Sequence, residues 1–476
     1  MIGWIVVLLV LLVNFLAAGH ALLYKRDPRT AWGWIVTCLL IPTIGPVLYF
    51  LLGINRIKTR ARKLKGEALV LNTDQVDTYF EKYASDKHHF TPDIEQMVMG
   101  NLSQSISNRP LLGGNRVHVL FDGNEAYPDM LESISKAQKN IFLATYIFET
   151  NKTGHKFIKA LGAARQRGVD VRVMLDGVGE YYSWPRVGRY LKKSGIPFTR
   201  FLPPKLIPLS PFINLRNHRK MLIIDDNVAY TGGMNIGDRH LVDELKGIGA
   251  RDIQFKLTGP VVSQMKDVFM EDWSFCKGIH LPAVKNRSFS DTPGSDACRI
   301  ITVGPNQDID KLRMLFTGMV SQARNKIFIM TPYFLPSHEL VGAIQVAALK
   351  GVEVNIVLPA KNNLPYVHWA TQNMLWGILQ YKVNVYFQPP PFSHSKLFVI
   401  DEIYSIIGSA NMDPRSLRLN FEMVAEIYSK DLAVGLIEHF EDRISKSKRI
   451  TLADVDSRSV PVRLRDSICW LFSPYL

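Results

Sequence analysis

The stretches "HRKMLIID" (His218–Asp225) and "HSKLFVID" (His394–Asp401) are two copies of one pattern, H-x-K-x-x-x-x-D. In each copy a histidine and a lysine stand two residues apart, directly before four apolar residues. Because residues two apart in an extended chain point to the same side, each histidine shares a face with its lysine. The apolar run predicts a buried strand that would hold these two side chains at its start.

A histidine fixed beside a lysine is suited to a phosphate group. Imidazole can attack phosphorus or transfer a proton, and an ammonium group stabilises negative charge on the phosphate oxygens. A turn of small residues follows each copy, "TGGMN" at 231–235 and "GSANM" at 408–412, and its glycines let the backbone approach a phosphate. Asn235 and Asn411 each stand 17 residues after their histidine and can each add an amide donor.

Further residues have predicted supporting roles around the imidazoles. Glu422 is a carboxylate that can accept the second N–H of a histidine ring. In the first copy, Lys246 stands where a counterpart of Glu422 is expected, so Asp252 is assigned as its substitute, assuming a short insertion. Gly233 also stands where the second copy has Ser409, so one hydroxyl group is missing on that side.

The aspartates that end the two copies, Asp225 and Asp401, are counted with the histidines and lysines as catalytic candidates because they belong to the repeated pattern. Their odd spacing from the histidines nevertheless places them on the other side of an extended chain. This spacing favours a structural role at the end of the strand.

The sequence around the two copies repeats as well. "AQKNIFLATYIF" (137–148) corresponds to "ARNKIFIMTPYF" (323–334), and "RGVDVRVMLDG" (167–177) corresponds to "KGVEVNIVLPA" (350–360). In the second pair a glycine ends a helical stretch and an apolar run then forms a strand. The repeat predicts an α/β fold of two similar units with largely buried sheets, divided within the polar stretch 286–297.

The N-terminal 53 residues are of a different kind. Residues 1–24 are almost entirely apolar, residues 25–30 ("KRDPRT") form a charged loop, and residues 31–53 contain no charged residue. At about 1.5 Å per residue the second apolar stretch is long enough for the roughly 30 Å core of a bilayer. Pro42 and Pro46 predict a kink in it. The sequence therefore predicts a hairpin of two membrane-spanning helices.

The net charge of +14 favours polyanionic partners, either nucleic acid or an acidic membrane surface. The predicted hairpin favours the membrane. Basic residues are fewer in the loop between the two spans than after the second span, which predicts that the large C-terminal portion is cytoplasmic. These residues are Lys25, Arg26 and Arg29 in the loop, and Arg56, Lys58, Arg60, Arg62, Lys63 and Lys65 after the second span.

The paired motifs resemble those of the phospholipase D superfamily, and the similarity extends from Arg116 to the end of the chain. Within that superfamily the hairpin, "TPYFLP" (331–336) and "RSLRLNFE" (415–422) are similar to bacterial cardiolipin synthases. The resemblance implies two pseudo-symmetric phospholipase D-like α/β/α sandwich units with mixed sheets. The expected boundaries are the hairpin with its basic segment at 1–65, a linker at 66–113, a first domain at 114–296 and a second at 297–476.

The resemblance also implies an activity, the transfer of a phosphatidyl group between two phosphatidylglycerol molecules through a phosphohistidine, giving cardiolipin and glycerol. By resemblance His218 is the nucleophile and His394 the general acid and base, although the sequence itself does not distinguish these roles. No cofactor and no metal are expected, and no cluster in the sequence has metal-ligand spacing. The expected partners are phosphatidylglycerol and anionic membrane lipid, without nucleic acid, and the expected location is the bacterial cytoplasmic (inner) membrane, crossed more than once. The oligomeric state is not predicted.

Three alternatives use the same residues. The first is a nuclease or other nucleic-acid phosphodiesterase, against which the hairpin counts. The second is another lipid enzyme, either a hydrolytic phospholipase or a phosphatidyltransferase with a different acceptor. The third is a membrane scaffold on an inactive enzyme fold, which would not need both histidines.

The C-terminal segment "SICWLFSPYL" (467–476) is apolar and contains Trp470 and Tyr475, which are residue types found at membrane interfaces. Two interpretations remain open for it from the sequence, namely insertion into the bilayer surface or packing as the last segment of the core.

Overall fold

The computed structural model describes residues 2–25, 28–53, 94–107, 109–204, 214–245, 248–278, 293–304 and 310–473. The chain divides into two compact units, residues 1–67 and 68–476. The basic residues at 56–65, on which the predicted orientation in the membrane depends, lie outside the described residues, as does most of the predicted linker. The domain boundaries expected from the sequence remain predictions.

The N-terminal unit contains one helix of membrane-spanning length and apolarity among the residues that the structure describes, α1 (Ile2–Tyr24). The second predicted span is not one continuous helix. It consists of α2 (Pro28–Leu40), a turn, α3 (Ile44–Leu48) and a single π-helical turn at Tyr49–Gly53. Pro42 lies in the turn, where a proline lacks the N–H that would continue the helix.

α1 and α2 nevertheless pack against each other. Ala18 and Ala21 of α1 are buried in a small cluster with Cys38 and Tyr49. The Tyr49 hydroxyl lies 2.8 Å from Nδ1 of His20, which joins the π-helical turn to α1. The two helices therefore form a packed pair, whereas a second membrane span remains a prediction.

The second unit contains both helices and strands, which alternate at the start of each half and give way to consecutive strands later in it. Its strands are β1 (Leu112–Phe121), β2 (Asn140–Thr145), β3 (Asp170–Asp176), β4 (Phe198–Phe201), β5 (Met221–Ile224), β6 (Val228–Gly232), β7 (Ala250–Arg251), β8 (Ile253–Thr258), β9 (Asp296–Val303), β10 (Lys326–Met330), β11 (Glu353–Pro359), β12 (Asn384–Gln388), β13 (Phe392–Ser393), β14 (Leu397–Ile400), β15 (Tyr404–Gly408), β16 (Glu422–Tyr428) and β17 (Lys448–Ile450). Its helices are α4 (Ile94–Ile106), α5 (Asp122–Lys136), α6 (Lys152–Gln166), α7 (Val187–Lys193), α8 (Val261–Lys277), α9 (Lys311–Gln322), α10 (His338–Leu349), α11 (Pro365–Leu379), α12 (Pro414–Arg418), α13 (Lys430–Ser445), α14 (Leu452–Asp456) and α15 (Val460–Leu471).

Fifteen of these strands form one continuous sheet in the order β17-β12-β11-β10-β14-β15-β16-β9-β1-β8-β6-β5-β2-β3-β4. The order reads the same outward from the β9–β1 junction on both sides, apart from the additional β17 at one edge. We call β1 to β8 with their helices the first half and β9 to β17 with theirs the second half. The prediction of two pseudo-symmetric α/β halves is confirmed.

The sheet is mixed, as the sequence predicted. β2, β3 and β4 are parallel to one another, as are β10, β11 and β12, and the strands nearer the junction pair antiparallel. Parallel sheets need helices on their faces, because a crossover connection must return the chain to the starting edge.

Helices cover both faces of the sheet, as alternate residues of the central strands show. In β2, Leu143 is buried in a cluster with residues of α5, α6 and α7, whereas the ring of Phe142 stacks on Phe269 of α8 with ring centres 5.1 Å apart. In β10, Ile329 lies in the cluster that includes α9 and α10, and Phe328 contacts Phe440 of α13 at 5.3 Å. The layers of the two halves correspond to each other.

The strand register places both H-x-K pairs at one edge of the sheet. Met221, directly after Lys220, pairs with Ala144 near the end of β2, and Leu397, directly after Lys396, pairs with Met330 at the end of β10. The histidines therefore lie at the carboxyl edge of the parallel strands, which we call the catalytic edge.

Candidate active site

Each histidine segment is hydrogen-bonded to the opposite half of the sheet. The His218 N–H donates to the carbonyl oxygen of Phe421 at 2.9 Å, and the His394 N–H donates to that of Arg251 at 2.7 Å. The two bonds are equivalent under the pseudo-symmetry, because Phe421 precedes Glu422 and Arg251 precedes Asp252. The two motifs therefore form one site at the contact between the halves.

The same crossing gives each imidazole a carboxylate from the other half. Nδ1 of His218 lies 3.0 Å from Oε2 of Glu422, and Nδ1 of His394 lies 2.7 Å from Oδ2 of Asp252. The sequence did not state which imidazole Glu422 orients, and the structure places its carboxylate against His218, the histidine of the opposite half. The separation of two residues along the sequence cannot reveal a contact between the two pseudo-symmetric halves.

Asp252 is the structural counterpart of Glu422, as the sequence predicted. In the sheet, Gly232 pairs with Gln254 and Gly408 pairs with Val424, so the residues two places before each partner occupy the same position. One carboxylate in each half thus takes the same place, although the two side chains differ in length by one methylene group.

The surroundings of the two carboxylates differ. Ser409 donates its hydroxyl to Oε2 of Glu422 at 2.5 Å, and Asn420 donates an amide N–H to Oε1 at 3.1 Å. In the first half, Gly233 stands in place of Ser409, and a Cβ atom there would overlap the carboxylate of Asp252. The missing hydroxyl is therefore explained, because the shorter aspartate occupies the space that a serine side chain would need.

The two lysines are buried beside their histidines. Nζ of Lys220 donates to the carbonyl oxygen of His218 at 2.8 Å, and Nζ of Lys396 lies 3.2 Å from Nδ1 of His394. Burial lowers the pKa of Lys220 to about 7 and that of Lys396 to about 8. Two ammonium groups thus lie in an environment that favours their loss of charge unless an anion binds between them.

Burial also lowers the pKa of both histidines. For His394 the positive charge of Lys396 adds to burial, and the pKa falls to about 3. For His218 the carboxylate of Glu422 opposes burial without reversing the decrease in pKa. Burial favours the neutral form of Asp252, but the hydrogen bond and charge of His394 hold the pKa of this carboxyl at about 2. Both imidazoles are therefore neutral near pH 7.

Each Nδ1–H that donates to a carboxylate leaves the lone pair on Nε2. Among the described residues, Nε2 of His218 and Nε2 of His394 have no hydrogen-bond partner. This tautomer is the one that a nucleophilic or basic imidazole needs, and the carboxylates fix it.

The two predicted asparagines lie in the turns after β6 and β15, and both are buried. The amide oxygen of Asn235 accepts the Ile147 N–H at 3.1 Å. The amide oxygen of Asn411 has no hydrogen-bond partner within the described part of the chain. The pseudo-symmetry therefore holds for the positions of these residues but not for their hydrogen bonds.

The structure does not support a catalytic role for Asp225 and Asp401. The carboxylate of Asp225 accepts three backbone N–H groups at the start of β2, those of Gln138, Lys139 and Asn140, at 2.6 to 3.0 Å. Asp401 does the same at the start of β10, with Arg324, Asn325 and Lys326 at 2.7 to 2.8 Å. Both aspartates tie a hairpin turn to the neighbouring strand, so the structural role favoured by their spacing describes them better.

Three residues near the site were not singled out from the sequence. The ring of Tyr146 is centred 5.2 Å from that of His218, and the ring of Tyr333 is centred 6.5 Å from that of His394. Arg219, the residue between the motif's histidine and lysine, donates to the backbone oxygen of Glu422 at 3.2 Å and to Asp272 at 2.6 Å. Both tyrosines directly follow or lie close after buried strands that end at the catalytic edge, and this position in the sequence could have indicated that they lie near the histidines.

No group of three or more histidine, cysteine, aspartate or glutamate side chains within the described ranges is arranged to hold a metal ion. The positive charge in the site is supplied by the side chains of Lys220 and Lys396.

Comparison with known proteins identifies relatives of both units. The family model described as "Cardiolipin synthase, PLD-like domain" matches residues 130–273 and again residues 317–444, one match in each half. A second model, described as "Phospholipase D-nuclease N-terminal", matches residues 12–53.

Similar whole proteins and one similar solved structure agree with these matches. The chain is 32% identical to cardiolipin synthase 1 of Staphylococcus epidermidis, over 98% of this chain and 96% of that protein. It is 31% identical to the major cardiolipin synthase of Bacillus subtilis, over 95% of each. The crystal structure of phosphatidylserine synthase from Haemophilus influenzae superposes with a TM-score of 0.60 at 16% identity, covering 79% of this chain and all of that one, and shows the fold alone.

Proposed function

This chain belongs to the bacterial cardiolipin synthases of the phospholipase D superfamily and is a phosphatidyltransferase, and from that premise we propose its reaction and the roles of its residues. It transfers a phosphatidyl group from one phosphatidylglycerol molecule to the headgroup hydroxyl of another. The products are cardiolipin and glycerol. The assignment of individual residues below belongs to this proposal.

One observation carries the proposal, namely the pair of crossed histidine–carboxylate contacts. A hydrolase or transferase that works through a covalent phosphohistidine needs one imidazole to attack phosphorus and a second to handle the proton of the leaving or entering alcohol. The site supplies two neutral imidazoles, His218 and His394, each held in one tautomer by a carboxylate 2.7 to 3.0 Å from Nδ1.

In the first step, Nε2 of His218 attacks the phosphorus of a bound phosphatidylglycerol. The bond between phosphorus and the glycerol oxygen breaks, and that oxygen takes a proton from Nε2 of His394, which binds this proton from solvent when the phosphate anion enters the site. The imidazole of His218 becomes cationic as it bonds to phosphorus, and Glu422 stabilises this charge across the 3.0 Å hydrogen bond.

In the second step, the headgroup hydroxyl of another phosphatidylglycerol gives its proton to His394 and attacks the phosphohistidine. His218 leaves, and the new phosphodiester is cardiolipin. One phosphodiester replaces another and the proton returns to His394, so the cycle needs no energy source and is reversible. Water must be kept from the intermediate, because its attack would give phosphatidic acid.

The lysines stabilise the charge that develops on the phosphate oxygens. Burial holds the pKa of Lys220 at about 7 and that of Lys396 at about 8, and a phosphate anion beside them would favour their charged forms. The same anion offsets the charge of Lys396, which is one of the causes of the low pKa of His394. Substrate binding thereby raises the pKa of the imidazole that must carry a proton.

The N-terminal helix of spanning length fits a membrane-associated enzyme, and its substrates are membrane lipids. We place the chain in the bacterial cytoplasmic membrane as a multi-pass protein with the catalytic unit on the cytoplasmic side, because the predicted second span is followed by six basic residues and preceded by three. Phosphatidylglycerol and other anionic lipids are its proposed partners, and nucleic acid is not.

The proposal is tested by giving the purified chain phosphatidylglycerol in mixed micelles, without nucleotide, and measuring cardiolipin and glycerol. Equal molar amounts of both products are expected from the wild type, and none from His218→Ala or His394→Ala. Phosphatidic acid in place of cardiolipin would make water the acceptor and refute the transferase reaction. Cleavage of nucleic acid without lipid turnover would refute the lipid substrate as well.

A further inference from the structure

The last described helix, α15, exposes an apolar stripe. Four of its side chains recur at helical spacing and are largely exposed: Val460 at 75%, Leu464 at 60%, Ile468 at 48% and Leu471 at 67%. Phe472, directly after the helix, is 57% exposed. Residues three and four apart share one face of a helix, so these five side chains form a single apolar surface.

The stripe is bordered by arginines. At 100° per residue, Arg463 and Arg465 project on opposite sides of the line through Leu464 and Ile468. Both arginines are exposed. A helix with an apolar stripe between basic residues has the composition of helices that lie in the headgroup region of a bilayer.

The opposite face of α15 ties the helix to the active site. Cys469 and Trp470 pack on a cluster formed by Leu335, Val367 and Ala370, and the ring of Tyr333 packs on the same cluster. Tyr333 in turn lies 6.5 Å from His394, measured between ring centres. The end of α15 that carries Leu471 and Phe472 therefore lies at the catalytic edge.

The first half presents a corresponding group of exposed aromatic residues. Tyr181, Tyr182 and Trp184 follow β3 at the catalytic edge and are 52%, 57% and 82% exposed. The ring of Tyr182 is 6.0 Å from that of Tyr146, and Tyr146 is 5.2 Å from His218. Exposed tyrosine and tryptophan side chains are suited to the interface between headgroups and acyl chains.

We propose that these two groups, the stripe of α15 and the aromatic residues at 181–184, form a membrane-docking face of the catalytic unit, and that its partner is a bilayer surface rich in anionic phospholipid. Large exposed apolar patches on folded proteins mark partner surfaces, and here the exposed Arg463 complements the charge of anionic headgroups, whereas Arg465 is ion-paired with Asp466 at 2.7 Å. The docked face would bring both histidines to the lipid phase. The inference rests on the proposed function only in requiring that the substrate is a membrane lipid.

The test uses the full chain in vesicles of phosphatidylcholine and phosphatidylglycerol, with Cys276 and Cys469 replaced by serine and one new cysteine carrying an environment-sensitive fluorophore. The new cysteine is Ile468→Cys, and the matched control is Leu349→Cys. Leu349 is 70% exposed and ends α10 shortly before β11 begins, so it lies at the sheet edge away from the site.

Lipids with a nitroxide high on the acyl chain are expected to remove at least about half of the emission at position 468 and to leave the emission at position 349 nearly unchanged. Equal quenching at both positions, or none at 468, would overturn the proposal. So would a disulfide between two chains in the unlabelled Ile468→Cys variant, together with no quenching by lipid in the labelled one, because a second copy would then cover the stripe.

A second measurement distinguishes loss of membrane docking from loss of folding, and it tests the docking face separately from the proposed reaction. Ile468→Asp is expected to lower kcat/KM about tenfold on phosphatidylglycerol vesicles and to leave turnover of a monomeric short-chain phosphatidylglycerol unchanged, whereas Leu349→Asp changes neither. Unchanged turnover of vesicles would count against the docking face. The quenching needs no turnover, so a chain that docks but makes no cardiolipin would refute the reaction alone.

Discussion

The motif aspartates give the prediction that the structure supports in most detail. Asp401→Ala removes a carboxylate that accepts three backbone N–H groups, at 2.7, 2.8 and 2.8 Å. The carboxylate is partly exposed, so each bond is worth about 1 kcal/mol, which is typical of a neutral hydrogen bond and below the roughly 1.5–3 kcal/mol of bonds to charged groups. The backbone at Asp401 also has a φ of 50°, which alanine tolerates less well than aspartate. The total cost to the free energy of unfolding is roughly 3–4 kcal/mol.

The corresponding change in melting temperature follows from the size of the unit. For roughly 400 residues in the compact unit 68–476, the entropy of unfolding is about 0.8–0.9 kcal/mol per degree, so Tm should fall by about 4 °C. The assay is thermal unfolding followed by cyanine dye or calorimetry, together with kcat for the fraction that remains folded at 25 °C. That kcat should stay within about threefold of the wild type, because the carboxylate of Asp401 binds backbone N–H groups and has no role in the proposed reaction.

Asp401→Asn is the matched control, since asparagine keeps one acceptor oxygen and adopts positive φ as readily as aspartate. Its Tm should fall by about half as much as that of the alanine variant. Asp225→Ala should behave like Asp401→Ala, because its three bonds are equivalent. An unchanged Tm with kcat lost by a factor of 100 or more, taken as roughly the effect of removing a catalytic group, would refute the structural role and restore the aspartates to the chemistry.

Three further predictions concern the site itself. Inhibition by a soluble phosphodiester such as glycerophosphoglycerol should weaken as the pH rises through about 7 to 8, because Lys220 and Lys396 lose their protons there and an anion binds their charged forms. An inhibition constant that does not change from pH 6 to 9 would contradict the assigned pKa values. Glu422→Gln should lower kcat by about 10² to 10⁴ with little change in KM, since glutamine cannot stabilise a cationic imidazole, and a loss below tenfold in steady-state assays would argue against the crossed pairing. Gly233→Ala should displace the carboxylate of Asp252 and lower kcat about 100-fold, and a kcat equal to that of the wild type would show that the space beside this carboxylate is not limiting.

The repeated architecture could be predicted because the local signals agree with one another. The run after Lys220 and the run after Lys396 are apolar on both faces, as a central strand requires, and the helix-ending glycines recur at the same places in both halves. A pattern that repeats in order along the chain fixes the order of elements. The strand order of the sheet, with β9 beside β1, could not be read in this way, because pairing between distant strands leaves no mark on either one.

The catalytic histidines and lysines could be predicted because each pair lies within three consecutive residues of the sequence. The partner of each histidine could not, because Glu422 contacts His218 across 204 residues and Asp252 contacts His394 across 142. The need for a carboxylate was predictable from the chemistry of imidazole. Its source in the opposite half follows only from the way in which the two halves face each other.

For the predicted second membrane span, the sequence signal was clear but the structure was less regular than predicted. Its composition satisfied the requirement for a span, and the prolines predicted a kink, but composition does not state how completely a proline interrupts a helix. Similarly, Trp470 was assigned to either the membrane or the core. The structure half-buries it on the cluster beside Tyr333, as packing on the core requires, and exposes its neighbour Leu471. Insertion of this segment into the bilayer remains a prediction.

The most direct test of the account is to trap the covalent intermediate. Phosphatidylglycerol labelled in its phosphatidyl phosphate is mixed with the enzyme, the reaction is quenched in denaturant at alkaline pH, at which phosphohistidine is stable, and the labelled peptide is identified by mass spectrometry. Label on His218 is expected in the wild type and in larger amount in His394→Ala if the second step limits that variant, with none in His218→Ala. Label on His394 would reverse the two roles, and cardiolipin formation without label on either histidine would contradict the two-histidine mechanism.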